Sequence, residues 1–229
     1  EVVAWNEAVR TAVAAELAAG RLPILLGGDH CLGIGSITAV AQWCRTQGRK
    51  LLVLWLDAHA DFNTSTITPS GNIHGMPVSC LFGIGPRELT HLGGTAPALR
   101  ASEIRQIGIR SVDPAEHAAL LRHDLAINDM RVLDEQGIVA PLRAFLSKVH
   151  EAGGLLHVSL DVDFLDPSIA PAVGTTVPGG TTFREAHLVM ELLHESGLVT
   201  SLDLVELNPF LDDRGMTARL MVDLVGSLM

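Results

Sequence analysis

LLVLWLDAHADFN at residues 51–63 runs six apolar residues directly into a carboxylate, an imidazole and a second carboxylate spaced two apart. The apolar part reads as a buried strand, because a strand covered on both faces of a parallel sheet has no polar alternation. Side chains at i, i+2 and i+4 of an extended segment share one side. Asp57, His59 and Asp61 therefore converge where the strand ends. LLHVSLDVDFLDP at 155–167 repeats the arrangement with Asp161 and Asp163. Five hard or borderline donors exceed what one small ion takes. The pattern points to two divalent ions sharing carboxylates, the layout of metal-assisted hydrolysis.

Outward from these two runs, strand-like and helix-like segments alternate. Residues 21–28 read as a buried strand entering a glycine turn, and 103–110 and 198–207 read as further strands. Helical patterns cover 6–19, 35–47, 113–123, 138–152, 183–196 and 216–228, with a short one possible at 75–83. Asp113 and Pro114 are a helix-opening pair. Residues 62–74 and 164–181 read as long loops. This alternation predicts an α/β fold, a three-layer α-β-α arrangement around a mostly parallel sheet. In such sheets ligands bind beyond the carboxyl ends of the strands. Asp29 and His30 follow ILLGG, and Glu206 ends LDLVEL, so four strand ends deliver polar groups to one rim. No repeat, low-complexity tract or linker interrupts the chain, and a single domain is expected over residues 1–229.

The 229 residues are 48% hydrophobic with net charge −10, enough for one cored domain and unfavourable for nucleic acid or an anionic membrane. Divalent cations among the aspartates would relieve their mutual repulsion. Cys31, Cys44 and Cys80 are odd in number and fit no zinc spacing, so a reduced, cytoplasmic setting is expected. No apolar run approaches the ~18 residues of a membrane span, and no signal peptide is visible.

The motifs GGDHCLGIGS (27–36), DAHADFN (57–63), SGNIHGMP (70–77), GIRSVDPAEH (108–117), SLDVDFLDPSIAPAVGTTVPGG (159–180) and LDLVELNP (202–209) resemble the ureohydrolase superfamily, and the arginase family within it. Each alone is modest evidence; six in order are specific. The resemblance implies a binuclear manganese site, with two Mn²⁺ per chain. It implies His30, Asp57, Asp61 and Asp161 as ligands of one ion, and His59, Asp57, Asp161 and Asp163 as ligands of the other. A water held between two cations becomes a hydroxide nucleophile near neutral pH, which a resonance-stabilised guanidinium needs.

The resemblance further implies that His74 carries the proton for the leaving amine and that Glu206 pairs with the substrate guanidinium. Thr175 is expected to support a metal ligand or face the substrate. Asn63 and Ser70 match the residues with which arginase-type chains bind an α-carboxylate, and Asp113, with Glu116 nearby, matches the α-amino acceptor. The implied reaction is hydrolysis of L-arginine to L-ornithine and urea. Homotrimers or homohexamers are usual in the family.

Each assignment has a plainer rival. An isolated DxD is ordinarily a turn former, Asn63 and Ser70 are ordinary loop residues, and Asp113 is a good helix cap. Asp29 is expected to bond within its loop rather than ligate a metal. Cys31, the other histidines and the three tryptophans read as packing or surface residues. Agmatine or another guanidino compound is the alternative substrate, and a non-catalytic metal-binding paralogue the alternative of a different class. A deacetylase on a related fold would typically use one zinc and fewer acidic ligands. The chain starts at Glu1 without Met, in what the family resemblance makes a helix. A preceding strand and its connection are therefore expected to be absent, which would uncover apolar sheet surface.

Overall fold

Every residue of Leu51–Leu56 is buried, and its side chains divide between two cores. Leu51, Val53 and Trp55 pack into one hydrophobic cluster, and Leu52, Leu54 and Leu56 into another. This two-residue period splits the molecule into three layers. The computed structural model describes residues 1–94 and 97–229. Its strands are β1 (Ile24–Leu26), β2 (Leu51–Leu56), β3 (Ile104–Ile109), β4 (Ile127–Asp129), β5 (Leu155–Asp161) and β6 (Val199–Val205). Its helices are α1 (Val2–Ala18), α2 (Gly33–Thr46), α3 (Pro77–Leu81), α4 (Arg87–Thr90), α5 (Pro114–Arg122), α6 (Met130–Gln136), α7 (Val139–Glu151), α8 (Phe183–Ser196) and α9 (Met216–Leu228).

The strands form one six-stranded sheet in the order β1-β6-β5-β2-β3-β4, with every pairing parallel. Residues of α1, α2 and α5 pack on the Trp55 face, among them Val13, Ile37 and Leu120. Residues of α7, α8 and α9 pack on the Leu54 face, among them Phe145, Val189 and Leu224. Burying each such side chain is worth about 1.5–3 kcal/mol, which fixes the facing of every central strand. The predicted three-layer α/β fold is therefore present, with an entirely parallel sheet. Because all strands run the same way, their carboxyl ends share one rim. No helix among the described residues is long and apolar enough to cross a membrane.

Local chemistry explains where predicted boundaries held. Helix α8 starts at Thr182, whose hydroxyl and Glu185 form a reciprocal capping box, and stops at Gly197 with φ 62°. The segment predicted as a buried strand over 21–28 is shorter and partly exposed. Among the described residues strand β1 pairs only with β6, and Leu26 is 76% exposed at that edge. Strand β4 and helix α6 were not expected, since three residues of mixed exposure carry no readable period.

Gly108 ties sheet to site. It has φ 98°, and the β3–β4 register shifts between Ile107 and Ile109. A Cβ there would lie 2.6 Å from the Phe164 ring and 3.0 Å from the Asp57 carbonyl oxygen. Gly108→Ala is expected to cost about 2–4 kcal/mol from φ strain plus overpacking. A urea unfolding curve with an unshifted midpoint would contradict this.

Candidate functional site

The sharp turn after β1 places His30 at the start of a short 3₁₀ segment, where Asp29 Oδ1 accepts the Cys31 N–H at 2.8 Å. His30 is 1% exposed. Its Nδ1 lies 3.0 Å from Asp57 Oδ2, 3.0 Å from Asp161 Oδ2 and 3.3 Å from Asp61 Oδ2. Its Nε2 is 2.8 Å from Ser159 Oγ, and its ring stacks on Trp55 at 4.1 Å between centroids. The ring is thus locked with one nitrogen facing three carboxylates.

His59, two residues beyond Asp57, sits 2.9 Å from Asp163 Oδ2 and 3.5 Å from Asp57 Oδ1. Two sets of donor atoms result: His30, Asp57 and Asp161, and Asp57, His59 and Asp163. Within each set the atoms lie within 4.8 Å of one another, and the sets share Asp57. Asp61 joins the first set through its approach to His30. Both runs therefore converge as expected, but β2 ends at Leu56, Asp61 has φ 51° and Asp163 lies in a 3₁₀ segment, so turns after the strands, not extended backbone, bring the groups together.

Burial and mutual repulsion govern the protonation of this cluster. Burial, then the neighbouring carboxylates, push Asp61 and Asp161 well above the ordinary range. Burial disfavours the His59 imidazolium, yet Asp163 and Asp57 outweigh it and raise its pKa to about 11. Asp57 is burdened by burial but held below the ordinary value by His30 and His59. His30 Nδ1 is buried without a hydrogen-bond partner. A buried imidazole nitrogen lacking a partner and facing carboxylates fits a cation, and an oxygen–nitrogen donor set without thiolate fits a hard divalent one.

A cavity of about 210 Å³ opens over the cluster. Its lining includes His30, His59, Asp61, Asp161 and Glu206, together with Asn63, Ser70, His74, Asp113, Glu116 and Thr175. Asp57 and Asp163 lie beneath, 0% and 2% exposed. The loop over residues 62–76 thus folds back across the strand ends. Glu206 accepts the His30 N–H at 2.6 Å, and its pKa is raised, chiefly by burial. His74 Nδ1 lies 3.7 Å from Asp29 Oδ2, and that carboxylate raises its pKa. Burial opposes the charge of Asp29, but His74 and Cys31 hold its pKa at about 2. Asp61 and Glu206 have φ 51° and 68°, a region non-glycine residues rarely enter and one that concentrates at functional sites.

The remaining predicted residues divide by their bonds. Asn63 Nδ2 lies 3.4 Å from Asp113 Oδ2, and Asn63 Oδ1 is buried without a partner. Ser70 Oγ accepts the Asn72 N–H at 3.2 Å at the cavity mouth. Asp113 both caps α5 and lines the cavity. Glu116 is 3% exposed, and its oxygens accept the Phe62 N–H at 2.8 Å and the Asp113 N–H at 3.4 Å. It braces the loop that carries Asn63. Thr175 Oγ1 lies 3.5 Å from Asp163 Oδ2.

Three further residues, Trp55, Ser159 and Arg110, shape the site. Trp55 Nε1 donates to Asp57 Oδ2 at 3.0 Å as well as stacking on His30. Ser159 holds His30; both precede a predicted ligand by two residues, so strand alternation could have found them. Arg110 had no such signal. Its Nη2 donates to the carbonyls of Asp163 at 2.6 Å and Val177 at 2.7 Å, and its Nη1 to Gly108 at 3.2 Å. One guanidinium thus ties β3, the end of the second metal run and the loop bearing Thr175.

An α/β/α layering with paired carboxylate–imidazole sets at the strand ends is the layout of a metal-assisted hydrolase. Comparisons narrow the class. Residues 1–229 match the Arginase family. The arginase of Brucella melitensis biotype 1 is 58% identical over 99% of this chain and 74% of its own length. The arginase structure from Bacillus caldovelox superposes with a TM-score of 0.95 at 42% identity, covering 99% of this chain and 75% of that one. The Bacillus subtilis arginase structure gives 0.94 at 39% identity, covering 99% of this chain and 78% of that one. The chain belongs to the arginase family, and it is an enzyme of the hydrolase class.

Two outcomes are expected. In chelated protein the raised carboxyl groups and His59 hold protons that the unfolded chain releases at ordinary values, so stability from this cluster falls as pH rises. The His59 part is full below its unfolded value of about 6.5 and is lost toward about 11. Asp57 acts oppositely, only in the acid range below the ordinary carboxylate value. Urea midpoints from about pH 6 to 9 should therefore fall in EDTA and hold or rise with saturating divalent metal, whose binding releases protons. Parallel curves would contradict the cluster as drawn. Arg110→Ala strands several buried carbonyls and should cost about 2–3 kcal/mol. Hydrogen exchange should speed up over residues 163–180, and unchanged protection there would refute the brace.

Proposed function

We propose that this protein hydrolyses the guanidinium of L-arginine, giving L-ornithine and urea. The metal ligands in this reading are His30, Asp57, Asp61 and Asp161 for one Mn²⁺, and His59, Asp57, Asp161 and Asp163 for the other. When bound, the ion pair supplies Lewis acidity and water activated at neutral pH.

The chain's own groups do the rest. Glu206, seated by the His30 N–H, offers a carboxylate to the planar guanidinium and fixes its orientation. His74 turns Nδ1 toward Asp29, leaving Nε2 to hand a proton to the departing amine. Asp29 stays ionised near neutral pH and favours the charged imidazole that must carry that proton. Asn63 and Ser70 take the α-carboxylate, Asp113 takes the α-amino group, and Thr175 supports Asp163. Glu116 acts through the loop it braces.

The observation that carries this reading is the shared cavity. The residues suited to an amino acid's polar end, Asn63, Ser70 and Asp113, line the same space as His30, Asp161 and Glu206. We further propose one catalytic domain, a homotrimer or homohexamer, and a cytoplasmic setting. The family resemblance supports the oligomer, and three buried, free cysteines support a reducing compartment.

The test is urea release by Mn²⁺-loaded protein, with L-arginine and agmatine in parallel. Arginine should be preferred by at least ~10-fold in kcat/KM, because buried polar groups made for the α-carboxylate are stranded by a substrate lacking it. The double variant Asn63→Ala, Ser70→Ala should raise KM for arginine by about 10-fold and leave agmatine turnover unchanged. Preference for agmatine would overturn the substrate assignment while keeping the metal chemistry.

A further inference from the structure

The charge of this chain is unevenly placed. Its net charge is −10, yet a cleft of about 500 Å³ is lined by Arg45, Arg49, Lys50 and Arg100, with Glu103 the one acidic residue among the described residues that line it. The cleft lies where β2 and β3 begin, at the end of the sheet opposite the metal cluster. Concentrated positive charge on an acidic protein focuses an attractive potential for anions.

Three features make the cleft more than a solvated basic rim. Arg49 is held in place, its Nε donating to the Gly153 carbonyl and its Nη2 to the Gly154 carbonyl, both at 2.9 Å. Neutral carbonyls fix a guanidinium without cancelling its charge, and these bonds use two of its five N–H donors. Among the described residues, no carboxylate pairs with Arg49, Lys50 or Arg100; the Glu103 carboxylate instead accepts the Arg100 backbone N–H at 2.9 Å. The floor is apolar, with Cys44 and Leu51 only 1% and 5% exposed. An apolar floor under pre-placed cations matches a small anion carrying an organic body.

We propose that this cleft binds the phosphoryl group of a small molecule, either free phosphate or a phosphate monoester whose organic part lies against Cys44 and Leu51. Arg49 provides the pre-oriented fork, and Lys50 and Arg100 close on the remaining oxygens. The site is separate from the hydrolytic cavity and takes no part in the reaction.

Isothermal titration of the active, metal-loaded protein with AMP and with inorganic phosphate, at constant ionic strength, tests this. The expected result is saturable binding at one site per chain that weakens at least ~10-fold in Lys50→Ala, Arg100→Ala, a loss of about 1.4 kcal/mol or more. Arg131→Ala, which removes a cation paired with Glu135, should leave the affinity unchanged. Tighter binding of AMP assigns the organic body to the apolar floor, and equal binding assigns the site to phosphate itself. The Lys50 and Arg100 side chains are exposed, so the variants should fold, and Arg100→Glu gives a second, stronger arm. No saturable binding of either ligand, or binding indifferent to both variants, overturns the proposal.

Discussion

Four carboxylates and two imidazoles are crowded into the interior at one end of the sheet, and the surrounding structure is arranged to tolerate that crowding. Like charges this close in a low-dielectric pocket repel strongly. The chain answers with a division of labour within the side chains. Asp161 uses Oδ1 to accept the Asp163 N–H at 2.8 Å and turns Oδ2 toward His30. Asp163 uses Oδ1 to accept the Ala58 N–H at 3.0 Å and turns Oδ2 toward His59. One oxygen of each is tied to backbone and the other is free for a cation. The cost of the arrangement falls most heavily on the metal-free protein, where Asp61 and Asp161 are driven toward protonation. A cation bound there would remove the repulsion, so its binding would be coupled to the integrity of the site.

Parallel topology makes this crowding possible. With every pairing parallel, the carboxyl ends of β1, β6, β5, β2 and β3 open onto a single rim, and residues far apart in sequence meet there. Rigid strands set the ligands, while loops set what reaches them. The loop over 62–76 brings Asn63, Ser70 and His74 over the cluster, and Glu116 and Arg110 secure the loops from below. Cavity-lining residues on braced loops and the carboxylate cluster at the strand ends make an economical division, since loops can vary without disturbing the cluster. The same parallel sheet has a second, opposite end. There the proposed phosphoryl cleft collects cations in a protein otherwise rich in acids.

Much of this was legible in the chain itself. The DAHAD and DVD spacings announce convergence at the strand ends, and both runs converge there, through turns that follow β2 and β5 rather than through extended backbone. Unbroken apolar strands announced a sheet covered on both faces, and the helical pattern over 183–196 matches α8. These signals are local: periodicity, capping and turn chemistry act over a few residues, so sequence alone determined five of the six strands, most helices and the two carboxylate–imidazole runs. Tertiary structure alone decided the rest. It gave Trp55 a hydrogen bond to Asp57. It set Ser159 against His30 across 129 positions of sequence and brought Arg110 to the Val177 carbonyl. It also gathered Arg45, Lys50 and Arg100 around one cleft. Strand order, edge exposure and contacts to backbone carbonyls depend on which distant segments pack together, and no local pattern of residues encodes that.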